Sequence, residues 1–274
     1  MNFRFWGNIM LTDDQKTHFY LLGFVKVPAV LTPEEIAEFS WRFDAIIANG
    51  KDQGDTSAPG ARIFPDGHRV IVPLIEADPY FYNLLDHPKL ASIADDLLGE
   101  DCIFFGSSDG QIHNGDTNWH RDGSWPEPGI EAKLTFYLDD VAPGKGCLSF
   151  IPGSHLWPLH YTELEKGIDE FALGYPMREF PGRYELLTEK GDVIAFNTRI
   201  WHSSWGGGAN RRQMAWMMRT KPRMAWEIER IVTFNKSYAK MWAPDTGRLV
   251  SDRFFETAGP NRMKKIQLLK ELGL

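Results

Sequence analysis

The chain has 274 residues, 43% of them hydrophobic and 24% charged, with 30 Lys and Arg against 37 Asp and Glu. That length suits one large all-β or mixed domain, or two small ones, and buries a substantial core without covalent staples. The net charge of −7 comes with no basic stripe, which argues against nucleic-acid binding, and no apolar run is long enough to span a bilayer.

In chain order, the first hundred residues read as mainly helical. Thr12 caps a helix that runs through Gln15, Phe19 and Leu22 and stops at Gly23. A short apolar strand, Phe24–Val27, follows. Thr32-Pro-Glu-Glu is a helix start with a capping hydroxyl, Pro at the first position and acids in the first turn. Ile36, Phe39, Phe43 and Ile46 then recur at helical spacing and mark a buried face. Residues 51–68 are polar and rich in Gly, Pro and Asp, which predicts a long loop of the kind that binds or covers a ligand. Another helix is expected over about 79–98, broken at His87-Pro88.

From Cys102 the pattern changes to short strands bounded by Gly, Pro, Asn and Asp. The expected strands are 102–108, 111–113, 131–138, 147–151, 192–196, 200–203 and 213–218. No alternation of strand and helix follows, so a parallel doubly wound sheet is excluded. The fold class is mainly β with flanking helices, a double-stranded β-helix (jelly roll, cupin-like). A helical tail closes the chain, at about 224–240 and 261–272. No repeat or linker is visible, so residues 1–274 read as one domain: a helical part to about 100, a jelly-roll core over about 101–220 and a tail over about 221–274. Cys102 and Cys147 read as buried reduced thiols. The first eleven residues lack a basic segment followed by a long apolar run, so the expected location is cytoplasmic.

The chemistry gathers around Asn118-Trp-His-Arg-Asp-Gly, where His120 and Asp122 form an H-x-D pair. Residues two apart on a strand project from one face, so an imidazole and a carboxylate can meet one metal ion. His202 lies 82 residues later, at the end of a late apolar strand. Two histidines and a carboxylate on one side of iron leave the opposite positions open for a chelating cosubstrate and O₂. Alone, an H-x-D pair arises often by chance, and a lone histidine is usually a packed core residue. The surrounding constellation raises both above that. Arg211 and Arg212 follow His202 by nine and ten residues, after the turn Trp205-Gly-Gly-Gly-Ala-Asn. A guanidinium grips a carboxylate through two parallel hydrogen bonds, which suits the far end of 2-oxoglutarate. Strand alternation favours Arg211 for this role, with Arg212 as the alternative.

These pieces resemble the phytanoyl-CoA dioxygenase-like family of iron(II)/2-oxoglutarate oxygenases. The carrying segments are Trp119-His-Arg-Asp, then Gly146-Cys-Leu-Ser-Phe-Ile-Pro-Gly-Ser-His, then Gly191-Asp-Val-Ile-Ala-Phe-Asn with His202, then Arg211, in the family's order. The opening Gly23-Phe-Val-Lys-Val-Pro resembles the family's opening too. The stretch from His202 to Arg211 is slightly shorter than the family's, which leaves the choice between the two arginines open. The resemblance implies a jelly roll with iron(II) at one mouth, held by His120, Asp122 and His202. It also implies 2-oxoglutarate and O₂ as cosubstrates and hydroxylation of a C–H bond, with release of succinate and CO₂.

Further candidates are Thr135 and Ser204 beside the cosubstrate, and Lys133, Gln111, His113, Arg62 and Arg69 toward the substrate. Each has a bland reading as a solvated or packed side chain. The loop arginines and Lys133 lean the substrate toward a small anionic metabolite, with no nucleic-acid or membrane partner. Trp119, Trp125 and Trp205 flank the ligand segments, either as a wall around the metal or as ordinary core, and His155 reads as a turn or packing residue. Rival readings are a same-fold iron enzyme with another outcome, such as desaturation or ring formation, and a non-catalytic cupin-like binding protein. Halogenation is disfavoured because Asp122 occupies the position that chloride would need. A zinc hydrolase is disfavoured because H-E-x-x-H is absent.

Overall fold

The computed structural model describes residues 11–52, 61–65, 67–113, 115–123, 129–156, 166–167, 180, 182–207 and 211–274. Helix α1 (Asp13–Leu22) starts on a Thr12 capping box and ends at Gly23, whose φ of 91° is open to glycine. Strand β1 (Phe24–Val27) follows it directly. Helix α2 (Pro33–Ala48) starts on the Thr32–Glu35 capping box and buries Ile36, Phe39, Phe43 and Ile47. The expected long loop contains two short strands, β2 (Lys51–Asp52) and β3 (Ala61–Ile63), and just past it comes a third, β4 (Arg69–Ile71). Residues 53–60 and 66 of that loop lie outside the described residues.

The expected helix over 79–98 is broken more than its pattern shows. A short helix not foreseen, α3 (Leu74–Ala77), precedes it, and the stretch itself comprises a 3₁₀ turn (Pro79–Tyr82), α4 (Asn83–Asp86) and α5 (Pro88–Leu98). Pro79 and Pro88 each begin a new segment, because proline lacks the N–H needed inside a helix. The tail contains α6 (Ala225–Trp242), α7 (Asp252–Glu256) and α8 (Pro260–Glu271).

The strands form two antiparallel-dominated sheets. The remaining members are β5 (Ile103–His113), β6 (Thr117–His120), β7 (Glu131–Tyr137), β8 (Leu148–Phe150), β9 (Tyr184–Glu185), β10 (Val193–Asn197), β11 (His202–Ser204) and β12 (Arg211–Arg219). The large sheet runs β1-β10-β7-β12-β5-β4-β3-β2, and the small one β6-β11-β8-β9. The two strands expected over 102–113 are one, kinked by an irregular register opposite Trp216 and Met218. Gly106 sits in the kink at φ 97°, and a β-carbon there would collide with the Asn235 side chain of α6. Strands β6 and β9 were not foreseen, being short and polar.

Period-two alternation divides the large sheet into faces. Leu134, Phe136, Met214, Trp216 and Met218 point outward and join Phe19, Phe39, Phe43, Leu97 and Ile266 of the helices in the principal core. The inner faces of the two sheets share a second cluster that includes Phe24, Phe150, Phe196, Ile194, Leu148 and Tyr137. The apolar contacts thus fill part of the space between the sheets, and the polar inner residues line the rest.

Phe136 is fully buried and packs edge-on against Phe39 at 5.2 Å and Trp216 at 6.3 Å between ring centroids. Phe136→Ala is predicted to destabilise the fold by about 3–5 kcal/mol. Denaturant unfolding should show a lower midpoint with an unchanged slope.

Candidate metal centre and anion pocket

His120 ends β6 and His202 begins β11, and the antiparallel register sets them directly opposite each other. Their ring centroids are 4.2 Å apart. Asp122 follows two residues after His120. Its backbone N–H and that of Gly123 donate to the Thr198 carbonyl, at 2.9 and 2.8 Å, so the turn that carries the carboxylate is tied to the loop before β11. The Asp122 oxygens lie 3.8 Å from His120 Nε2 and 3.7 Å from His202 Nε2. The potential ligand atoms of the three side chains all fall within 4.8 Å of one another, close enough for one ion to reach all three.

The tautomers follow from the other ring nitrogens. His120 Nδ1 lies 2.8 Å from the Asn118 carbonyl, and His202 Nδ1 lies 3.0 Å from the Ile200 carbonyl. A carbonyl only accepts, so each Nδ1 carries the proton and each Nε2 turns a lone pair toward Asp122. Burial, with His120 alongside, pushes His202 down to about 3, which keeps it neutral at physiological pH. Burial works against ionisation of Asp122, but the Lys133 ammonium 3.4 Å away outweighs it and holds the carboxyl at about 2. Two imidazoles and one carboxylate are the donor set suited to a divalent transition metal.

Arg211 opens β12, is 5% exposed and lies against β11. Its guanidinium donates to the Gly146 carbonyl and to Ser204 Oγ, and stands 5.9 Å from the centre of the Tyr137 ring. Gly146 is required here, because a β-carbon would strike Arg211 Nη1 and φ is +88°. No carboxylate among the described residues forms an ion pair with Arg211, and its Nε has no hydrogen-bond partner. The Tyr137 hydroxyl is likewise buried without a partner. A buried cation beside an unsatisfied donor makes an anion pocket. Ser204 and His202 alternate on one face of β11, which links this pocket to the histidine cluster.

Arg212 points the other way. It is bound to Asp139 at 2.7 Å and to Asp44 at 2.7 Å on the outer face, so the structure does not bring this alternative to the site. Arg69 also lies outside, lining an outer cleft of about 590 Å³ with Arg212, Asp44 and Ile112. Arg62 is spent on α6: it donates to the carbonyls of Met241 and Trp242 at 3.2 and 3.0 Å and lies over the Trp242 ring. Thr135 faces inward with its hydroxyl committed to the Met214 carbonyl at 2.9 Å and an amide from Gln213 at 2.9 Å. Gln111 donates to Asp109 at 2.6 Å. Lys133 stands between Asp122 and Asp109, at 3.4 and 3.6 Å. His113 pairs with Arg211 in register, but its side chain lies outside the described residues.

Trp119 and Trp205 join Trp201 and Ile151 in a separate apolar cluster, which is ordinary packing; Trp125 and residues 208–210 of the turn lie outside the described residues. His155 donates to, or accepts through, no other candidate; its Nε2 meets the Tyr20 carbonyl at 3.1 Å while the ring packs against Gly23, as a packing residue does. Both cysteines are buried and free. No helix among the described residues is long and apolar enough to cross a membrane. Asp109 and Tyr238 carry no signal in the sequence pattern. Strand alternation sets Tyr137 on one face with Lys133 and Thr135, but gives it no role; its buried hydroxyl without a partner supplies one. Tyr238 sits on α6, reaches Ser107 by a side-chain hydrogen bond and feels the charges of Asp109 and Lys133, a meeting that no local pattern announces.

Comparison with known proteins agrees with this geometry. The phytanoyl-CoA dioxygenase family model matches residues 19–213. A curated relative, dioxygenase af480 of Aspergillus fumigatus, is 24% identical over 200 residues, which are 70% of this chain and 60% of that protein. The chain therefore spans about 60% of that relative's length. Among solved structures, the non-heme alpha ketoglutarate dependent carbocyclase SnoK from nogalamycin biosynthesis superposes with a TM-score of 0.60 at 19% identity, over 78% of this chain and 87% of SnoK. EctD from S. alaskensis superposes with a TM-score of 0.61 at 19% identity, over 78% and 79%. These structures share the two-sheet fold with flanking helices. On the family match and the shared fold, the chain belongs to the phytanoyl-CoA dioxygenase family, within the iron(II)/2-oxoglutarate-dependent oxygenases.

Proposed function

We propose that this oxygenase hydroxylates a C–H bond of a small molecule, with His120, Asp122 and His202 holding iron(II) and Arg211 holding the far carboxylate of 2-oxoglutarate. One observation carries the reading: a cluster of two histidines and a carboxylate lies one strand step from a buried guanidinium that has no carboxylate partner among the described residues. The donor set suits iron(II), and the pocket suits a dicarboxylate whose other end chelates the metal.

Bound there, iron(II) and 2-oxoglutarate supply oxidising power, with O₂ consumed, succinate and CO₂ released and oxygen delivered to the substrate. The chain's own groups set the geometry. The carbonyls of Asn118 and Ile200 fix the histidine rings through Nδ1–H, so both Nε2 lone pairs converge. Arg211 is stiffened by Gly146 and Ser204, which leaves it little freedom to lose when a carboxylate arrives. The Tyr137 hydroxyl, buried without a partner beside Arg211, would donate to the same carboxylate. The apolar cluster of Phe24, Phe150 and Phe196 closes one side of the inter-sheet space against water.

The cations that pointed to an anionic substrate are engaged elsewhere. Lys133 is neutralised by two carboxylates, Arg62 is tied to the end of α6, and Arg69 stands on the outer face. A neutral or zwitterionic small molecule fits this charge balance better. Ring formation is the second reading, favoured by the resemblance to a carbocyclase in fold.

Two outcomes test the proposal. Anaerobic iron(II) with 2-oxoglutarate should give the visible charge-transfer band, and His202→Ala should remove it while circular dichroism stays unchanged; a full band in that variant contradicts the ligand set. Arg211→Lys should raise the KM for 2-oxoglutarate about tenfold to over a hundredfold, since a charge-assisted pair is worth about 1.5–3 kcal/mol. Arg212→Lys should leave that KM within about twofold, because a surface ion pair on the other face contributes little.

A further inference from the structure

The backbone of Asp122 is tied to Thr198, but nothing in that tie sets the rotation of its carboxylate. One oxygen lies 3.8 Å from His120 and the other 3.7 Å from His202, so the group could offer either to a metal. Lys133 breaks this symmetry. It projects from the middle of β7, paired with Phe196 of β10 and Met217 of β12, on the face toward the small sheet. Its ammonium lies 3.4 Å from Asp122 Oδ2, the oxygen on the His202 side.

A free cation here would also repel a divalent metal. Asp109, 6% exposed on β5, stands 3.6 Å from the same ammonium and cancels its charge. Gln111 fixes Asp109 from the other side through a 2.6 Å hydrogen bond. Behind them, α6 brings Tyr238 to Ser107, and the helix is anchored by Asn235 to the Phe105 carbonyl at 3.1 Å and by Glu227 to Arg219 at 3.0 Å. The result is a neutral Lys–Asp pair held rigidly against one oxygen of Asp122.

Building on the metal-ligand reading above, we propose that Lys133 is a positioning residue for Asp122: it holds Oδ2 and leaves Oδ1 to face the metal, while Asp109 holds Lys133 and offsets its charge. Groups that orient a metal ligand from behind commonly matter about tenfold to a hundredfold in affinity. Orientation and bare electrostatics predict opposite signs for one variant. Removing a cation beside a metal site should tighten metal binding by charge alone. Removing an orienting group should weaken it.

The test is Mn²⁺ binding to the full chain by titration calorimetry, with the anaerobic iron(II)–2-oxoglutarate absorption band as a second readout and thermal unfolding as a control. Lys133→Gln should raise the Kd for Mn²⁺ about tenfold and shift the band. The double variant Lys133→Gln with Asp109→Asn removes one charge of each sign and should show the same weakening and shift. A Kd equal to or lower than that of the parent in both variants, with an unmoved band, overturns the positioning role. The parent and His202→Ala report separately on the metal reading. If the parent binds Mn²⁺ and His202→Ala does not, that reading stands whatever Lys133 does. If the parent binds none, both fall together.

Discussion

The pairing of β6 with β11 is the constraint on which the site depends. It sets His120 and His202 on one rung of the small sheet, and the return of the chain to Thr198 then holds Asp122 beside them. A slip of one residue would turn His202 to the opposite face and put Ser203 in its place. The register is secured on the other side of β11 by β8, where His202 faces Phe150 and Ser204 faces Leu148. The same register carries Ser204 to Arg211, so the histidine cluster and the anion pocket are fixed by one short strand.

Much of this was legible in the residues. Thr12, and Thr32 with Pro33 and the acids after it, announced two helix starts to the residue, because a helix cap is a local device. Alternation along 131–138 and 211–219 separated inner from outer side chains and favoured Arg211 over Arg212, and the outer ion pairs of Arg212 show the physical reason. What stayed hidden was nonlocal. Lys133 looked like a free cation because neither Asp109, 24 residues before it, nor Asp122 can be assigned to it without knowing that β5 and β7 flank β12. Arg62 looked like a loop arginine because its partners are backbone carbonyls at the end of α6. The fragmentation of 74–98 and the brief β6 and β9 fell below what periodicity can detect in segments of so few residues.

Charge arrangement gives the inner face its character. Among the described residues Arg211 is buried without an acid, whereas Lys133 is buried between two, and the proposed anion pocket rests on that difference. The helix α6 lies beyond the segment matched by the family model, yet its Tyr238 reaches the polar inner wall and its ends are tied by Arg219 and Arg62. A shared catalytic frame bordered by an element outside that frame is a physical basis for a substrate preference of its own.

The central claim, that one metal ion sits among three particular side chains, is tested most directly by anomalous scattering at the iron edge from crystals grown anaerobically with iron(II). The account predicts a single peak in contact with His120 Nε2, His202 Nε2 and one oxygen of Asp122. A peak elsewhere in the molecule, or none at that position in crystals that contain bound iron, would contradict it.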